Sequence, residues 1–555
     1  MTTKSAGEAP RRSLGQRKAP AERTLIEPPT FSPGVELHRP PTEGESWFLR
    51  RGTHQYFKLT GDLARLADLV DGSRTREVIL QDLGDPWTAP DVDQALRSLG
   101  DAHVLRAEGE KTRPRREVVR FVPPLTVQLT LFNPSRLLRH VASWIPFART
   151  PASVIVAAAV VALGILSLVV RPAEVMTALS SPVPYATVFG IFLGTLAATA
   201  LHEFGHGLVL ASYGGRPRRI GVMLFYLMPA FFCDVSDGWR LPQSRQRVHV
   251  ALAGILVQGT IGGAAALASL LPFSPDAKVG LTVFAIVTLI ACLMNTIPFV
   301  KLDGYIALMS WVDITHLRDK SMADARGVLA LVFFGWRPPR QLPRLPWAIP
   351  FGFACLLFPV FLVANALLIW FDTMQRLGVL GSMLILGLIA VALFGLGKEI
   401  AKIVSEAREA GASGVRMGIV VLVGSAIASA ALAFLPMPQS MAGGFLRASD
   451  STELVLPTSS DAHGLEPGTV VELRTSGIVL STPIGQAVVG EGDPIDEMRP
   501  FSSLFPVEED LPMIPTTTLP LIDVESGGAQ QGAAFIRVDD QPLWRWLVAL
   551  VANGL

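Results

Sequence analysis

The chain has 555 residues, half of them apolar and only 17% charged, with a net charge of +1. Soluble globular proteins average about 25% charged residues, so this composition, with a mean hydropathy of +0.41, excludes an ordinary soluble enzyme and indicates several membrane spans. Near-neutral charge gives no case for a nucleic-acid partner, and the three cysteines, Cys233, Cys292 and Cys355, lie in apolar stretches with no disulfide or Cys-metal spacing.

Residues 1–44 are rich in Pro, Arg and small polar types and are predicted to be a disordered arm. They lack the apolar run of a secretory signal. From 45 to 121 the chain reads as a soluble domain. Trp47–Leu49 and Tyr56–Leu59 predict strands, Asp62–Val70, Thr75–Leu83 and Ala89–Leu99 predict helices, and Val104 and Leu105 predict a returning strand. That order makes a winged-helix-like α+β module. Residues 122–150 read as a linker with amphipathic character.

Apolar runs follow at about 153–170, 183–213, 248–272, 279–300, 347–371, 379–397 and 415–437. Each has roughly the twenty residues that a 30 Å hydrocarbon core requires. An eighth stretch, Ile220–Val235, is shorter and contains Pro229, which predicts a re-entrant or hairpin segment. With the N-terminus inside, the loops holding Arg216, Arg218 and Arg219, then Arg240, Arg245 and Arg247, then Lys301 through Arg344, all fall on the inner side. The opposite loops carry single basic residues, Arg171, Lys278 and Arg376. This is the positive-inside pattern. It predicts a multi-pass protein of the cell membrane, with a cytoplasmic N-terminus and an extracytoplasmic C-terminus. Residues 438–555 hold 16 acidic and 5 basic side chains and alternate turns with short β-branched runs, predicting a β-rich outer domain. Its last residues, Trp544–Leu555, are amphipathic and too short to span, and are expected to pack on that domain.

The chemistry lies in the second run, at ALHEFGHGLVL. His202 and His206 are four apart, so on a helix both imidazoles share a face and reach one tetrahedral zinc. Glu203 is then placed to take a proton from a water activated by that zinc. With 9 His and 47 acidic residues in the chain, a chance His-acid-x-x-His is expected about 0.01 times. An ionisable residue in an apolar span also costs at least about 2.5 kcal/mol. The bland alternative is a hydrogen-bonded His–Glu cluster tying helices together. Zinc needs a third ligand, and Asp303, in NTIPFVKLDGYIAL, follows a span that ends on the same side as His206. Taken alone, Asp303 is a solvated loop acid or a helix cap.

Over about 183–310 the sequence resembles the site-2 protease family of intramembrane zinc metalloproteases. The resemblance rests on HEFGH at 202–206 and on Asn295, Pro298, Leu302, Asp303 and Gly304 as an Asn-x-x-Pro…Leu-Asp-Gly pattern. It implies His202, His206 and Asp303 as zinc ligands, Glu203 as base, and Asn295 as a residue that holds the substrate strand or the transition state. The run FYLMPAFFCDVSDGWRLPQSRQRVHVALAG is similar to a peptide zinc metalloprotease subgroup found with ribosomally made, modified peptides. Val300 stands where many members have a second proline, and no PDZ module separates the motifs. TGDLARLADLVDGSRTREVILQDL is similar to the leader-recognition elements of peptide-maturation enzymes, which bind an extended leader by strand addition.

The resulting expectation is removal of a leader from a precursor peptide such as those of the daptides, with the precursor and the lipid bilayer as partners. Two alternatives stay open. One is a regulatory protease acting on a membrane-anchored signalling protein. The other is a non-enzymatic peptide exporter or immunity protein.

Overall fold

The computed structural model describes residues 24–38, 47–51, 55–59, 61–108, 119–122, 126–144, 150–225, 228–336, 338–409, 411–437, 440–447, 451–458, 462–525, 527–537 and 540–552. The first part of the expected arm, residues 1–23, lies outside them. Two compact units divide the chain. One takes 1–135, 214–227 and 234–243; the other takes 136–213, 228–233 and 244–555.

In the first unit, strands β1 (Val35–His38), β2 (Trp47–Arg51) and β3 (Gln55–Leu59) form an antiparallel sheet in that order. Leu49 sits opposite Leu37 on one side and Phe57 on the other. Helices α1 (Gly61–Leu69), α2 (Arg76–Leu83) and α3 (Ala89–Asp101) close a core of Leu49, Leu66, Ile79, Leu96 and Leu105. In α3 the buried residues Val92, Leu96 and Leu99 repeat every three to four positions, as one helical face requires. Its start is fixed by a capping box in which the Asp91 carboxylate accepts from the Thr88 N–H at 3.0 Å. Hydrogen bonds from the Thr88 hydroxyl and amide hold the Asp91 carboxyl below its ordinary range. Residues 24–38 differ from the expected disordered arm. Leu25 bridges Ala107 and Phe31 bridges Leu105, so the returning strand found its partner upstream. The apolar Leu25 and Phe31 pack on the core, which composition averaged over forty-four residues had hidden. Strands β4 (Val119–Val122), β5 (Thr126–Phe132) and β6 (Ile220–Phe225) pair in sequence order within the same unit.

The second unit begins with the amphipathic helix α4 (Ser135–Trp144), so the expected linker of 122–150 holds β5 and α4. Seven helices are long and apolar enough to cross a membrane: α5 (Pro151–Val169), α7 (Tyr185–Ser212), α8 (Ser244–Ala268), α9 (Pro275–Thr296), α12 (Ala348–Arg376), α13 (Val379–Glu409) and α14 (Gly414–Phe434). They match the seven runs predicted from hydropathy. Between them lie α6 (Pro172–Ser180), α10 (Asp303–Val312) and α11 (Leu317–Phe334). The eighth apolar stretch forms β6 and the strand β7 (Met228–Cys233) and does not cross as a helix. α8 packs against α5, α7, α9 and α10 and buries 11 of its 25 residues, whereas α14 buries none. Its glycines permit this central position. A Cβ on Gly263 would lie 2.6 Å from the Val160 carbonyl oxygen and one on Gly164 2.5 Å from Gly263 Cα, so α5 and α8 touch backbone to backbone. The outward faces of the other spans are apolar, with Phe394 and Leu422 exposed, as lipid contact requires.

α11 was expected to be part of a charged inner loop. Its charges instead pair with groups distant in sequence: Asp324 accepts from the Gln341 and Leu342 amides at 2.6 and 3.1 Å, and Arg326 meets Glu399 at 2.9 Å. A charged sequence thereby forms a buried helix against α12.

The C-terminal region is β8 (Pro436–Met437), β9 (Ser440–Arg447), β10 (Thr452–Pro457), β11 (Val470–Arg474), β12 (Pro483–Val489), β13 (Ile495–Pro500), β14 (Met513–Glu525), β15 (Gln531–Arg537), β16 (Gln541–Pro542) and α15 (Leu543–Ala552). Strands run β10-β9-β15-β11-β12-β14, and β14 returns to β10, closing a barrel with β13 on its outside. Phe445, Leu454, Leu456, Leu473 and Ile536 fill it. The barrel meets the bundle at the end where α7 begins. Both Glu509 carboxylate oxygens accept from the Tyr185 N–H at 2.9 Å, Val183 bridges Val507, and Gln375 Nε2 donates to the Ser440 carbonyl at 2.8 Å. α15 departs from expectation. It packs on α13 and α14 and stacks Trp546 on Phe371, 5.6 Å between centroids, in place of lying on the barrel. Its apolar side chains find a larger apolar surface on the spans.

Candidate metal centre

α7 carries its chemistry near its C-terminal end, where His202 and His206 are both 4% exposed. The four-residue spacing brings the rings together edge to face, with centroids 4.8 Å apart and planes at 84°. α9 ends at Thr296, and the chain turns through Pro298 to start α10 at Asp303. Gly304 allows that turn, because a Cβ there would lie 2.0 Å from the Thr296 carbonyl oxygen. The Asp303 Oδ2 atom comes to 2.9 Å from His202 Nε2 and 3.3 Å from His206 Nε2, and the two Nε2 atoms are 3.1 Å apart. Among the described residues this is the one group of three such side chains so arranged.

The donor set fits zinc. Bonds of about 2.0–2.1 Å in tetrahedral geometry place ligand atoms roughly 3.3 Å apart, close to the three observed separations. Protonation agrees. His206 Nδ1 is 2.7 Å from the Val250 carbonyl oxygen, which can only accept, so Nδ1 carries the proton and Nε2 turns a lone pair inward. A backbone carbonyl in this place is the usual way a ligating imidazole is oriented. Lone pairs and a carboxylate crowded together repel unless a cation sits among them. Gly254 on α8 leaves the room. A Cβ there would lie 2.4 Å from His206 Nε2 and 2.7 Å from His202 Nε2.

Glu203 does not join this triangle. Its Oε2 accepts from the Cys233 N–H of β7 at 2.8 Å, which aims the carboxylate while leaving its other oxygen for chemistry. Asn295 donates through Nδ2 to Gln258 Oε1 of α8 at 3.2 Å. Asp234 accepts from the Ser236 amide within a turn, and Asp237 accepts from the Arg216 amide at 2.9 Å. His249 takes part in a 2.7 Å contact with the Tyr213 hydroxyl. Gly205 lets α7 approach α8, since a Cβ would meet Val257 at 3.0 Å. Sequence reasoning missed Gly254, Gln258, the Val250 carbonyl and the Cys233 amide. The last two are backbone groups with no side-chain signature, and Gly254 is one of several glycines in α8.

The fold and donors thus define a multi-span helical protein with a His-His-Asp group that could hold a metal ion. A curated protein from Mycobacterium tuberculosis strain ATCC 25618 / H37Rv, "Putative zinc metalloprotease Rip2", is 31% identical over 182 residues, 27% of this chain and 68% of the relative. Its counterpart from strain ATCC 35801 / TMC 107 / Erdman matches equally. The chain belongs to the zinc metalloprotease family that these proteins represent. No protein-family model matches the chain. No solved structure matches it.

Proposed function

We propose that the chain is an intramembrane metalloprotease of the site-2 protease type that removes the leader from a ribosomally made, modified precursor peptide. The observation that carries the hydrolytic part is the convergence of His202, His206 and Asp303 at 2.9–3.3 Å beside Glu203. These three side chains would hold Zn2+, which when bound polarises a scissile carbonyl and acidifies a water. Glu203 takes the proton of the attacking water and passes it to the departing amine. The Cys233 amide holds the Glu203 carboxylate in place without neutralising it. A helical substrate unwinds first, because its carbonyls are otherwise engaged in its own hydrogen bonds.

Leader recognition is assigned to the winged-helix-like module at 45–121. Its strand β3 is the last of the sheet and is followed at once by α1, which supports docking of an extended leader along that edge. The excess of Lys and Arg in the inner loops supports a cell-membrane protein with this module in the cytoplasm and the barrel outside.

The test uses the full chain purified in detergent and incubated with precursor peptides encoded beside its gene, with and without a chelator. Zinc-dependent release of a leader is expected. Glu203→Gln keeps zinc and loses at least 100-fold in cleavage rate; a variant that cuts at the normal rate removes the proposed base. Cleavage of a membrane-anchored signalling protein in place of the peptides overturns the substrate assignment alone.

A further inference from the structure

The turn that carries Asp303 is braced from α11. Arg318, in the first turn of that helix, donates through Nε to the Phe299 carbonyl at 3.1 Å and through Nη2 to the Cys355 carbonyl of α12 at 3.4 Å. Phe299 lies between the end of α9 and the start of α10, four residues before Asp303. Its ring packs on Phe351 and Phe358 of α12, with centroids 5.9 and 5.4 Å apart. The Arg318 backbone N–H donates to the Tyr305 hydroxyl oxygen at 3.3 Å, and Tyr305, two residues beyond Asp303, is 4% exposed. At the exposed margin Lys301 of the same turn reaches Asp319 at 3.2 Å.

The Cys355 carbonyl is open to Arg318 because of a proline. Pro359 lies inside α12 and has no N–H, so the carbonyl four residues earlier loses the donor a helix would give it. Cys355 is fully buried, and a buried carbonyl left without a donor is costly. The Arg318 guanidinium supplies that donor. Its planar fork of five N–H groups serves acceptors on two different elements at once, where an ammonium offers a single nitrogen on a flexible stem. Hydrogen bonds from a charged donor are also stronger than those between neutral groups. The α9–α10 turn is thereby tied through one side chain to α12.

We propose that Arg318 is a positioning residue for the metal centre: by joining the Phe299 carbonyl to the Cys355 carbonyl that Pro359 leaves without a helical donor, it holds the α9–α10 turn where Asp303 reaches the two histidines. This rests on the metalloprotease reading above. Arg318 is not a ligand and acts through the backbone of residues 299–303. Metal–ligand distances tolerate only about 0.2 Å, so a small drift of the turn takes the Asp303 carboxylate out of register with His202 and His206.

The test uses Co2+ as the probe on the full chain in detergent after removal of bound metal. Affinity is measured by competition with a chelator, and the ligand set is read from the visible absorption of the bound Co2+. Arg318→Met weakens Co2+ binding about tenfold, as loss of a supporting partner does at metal sites, and changes the visible band because Asp303 no longer keeps its place. Arg318→Lys, with one nitrogen for two carbonyls, falls between. It carries the test by the same two readouts if Arg318→Met does not keep the helical content of the wild type. Asp324→Asn is the control for stability alone. It weakens the acceptor of the Gln341 and Leu342 amides on the same helix and lowers the melting temperature while Co2+ affinity and spectrum hold. Wild-type affinity and spectrum in Arg318→Met, or in Arg318→Lys where that variant stands in, overturn the positioning role and leave the metal centre standing. An equal loss of affinity in Asp324→Asn does the same. A wild type that binds neither Co2+ nor Zn2+ overturns both.

Discussion

Replacing Gly254 by alanine tests the metal centre through a residue that is not itself a ligand. The added Cβ falls 2.4 Å from His206 Nε2, 2.7 Å from His206 Cε1 and 2.7 Å from His202 Nε2. Carbon packs comfortably at about 3.5 Å, so the rings must retreat by about 1 Å. Metal–ligand distances tolerate only about 0.2 Å. The His206 ring cannot yield freely, because Val250 holds its far nitrogen at 2.7 Å. A displacement several times the tolerance removes at least one ligand from register, and zinc affinity should fall at least 100-fold, beyond the range seen when a supporting partner alone is lost. Helix propensity acts in the opposite direction, favouring alanine by about 1 kcal/mol within α8. Zinc per chain, measured after equilibration in a zinc buffer, should therefore collapse while the metal-free protein keeps the helical content of the wild type. A Gly254→Ala chain that holds one zinc with normal affinity would refute the placement of the ion between these rings.

Three further outcomes follow from other parts of the molecule. Asp303→Ala should lower zinc occupancy at least tenfold with the spans intact, read by metal content and circular dichroism; full occupancy would remove it from the ligand set. Gly304→Ala sets a methyl group 2.0 Å from the Thr296 carbonyl oxygen and should destabilise the α9–α10 junction by about 1–3 kcal/mol, seen as a lower melting temperature together with loss of zinc. Leu454→Ala empties a fully buried position in the barrel and should cost about 2–5 kcal/mol. Its effect should be earlier proteolysis within 440–537 at unchanged zinc content.

Much of the bundle was legible because a bilayer imposes a simple rule on sequence. A span must be apolar for about twenty residues whatever it packs against, so seven runs read from hydropathy reappear as seven helices. α11 escaped that reading, because its charges are satisfied by Glu399 and by the amides of Gln341 and Leu342, contacts no local window contains. The arm at 24–38 escaped for a similar reason: Leu25 and Phe31 gain their burial from residues 105–107, some eighty positions away.

At the site, the four-residue spacing of His202 and His206 determined by itself that two imidazoles share a helix face, since helix geometry is local. The sequence likewise marked Asp303 and Asn295 as residues to watch. Only the tertiary structure decided that Asp303 comes within 3.3 Å of both rings, that Asn295 pairs with Gln258, and that Glu203 turns to the Cys233 amide. It also decided that the space for an ion exists because position 254 has no side chain. The closure of the barrel through β10 and β14 belongs to the same class. Periodicity fixes which face of an element is apolar, but which two faces meet depends on the packing of the whole chain.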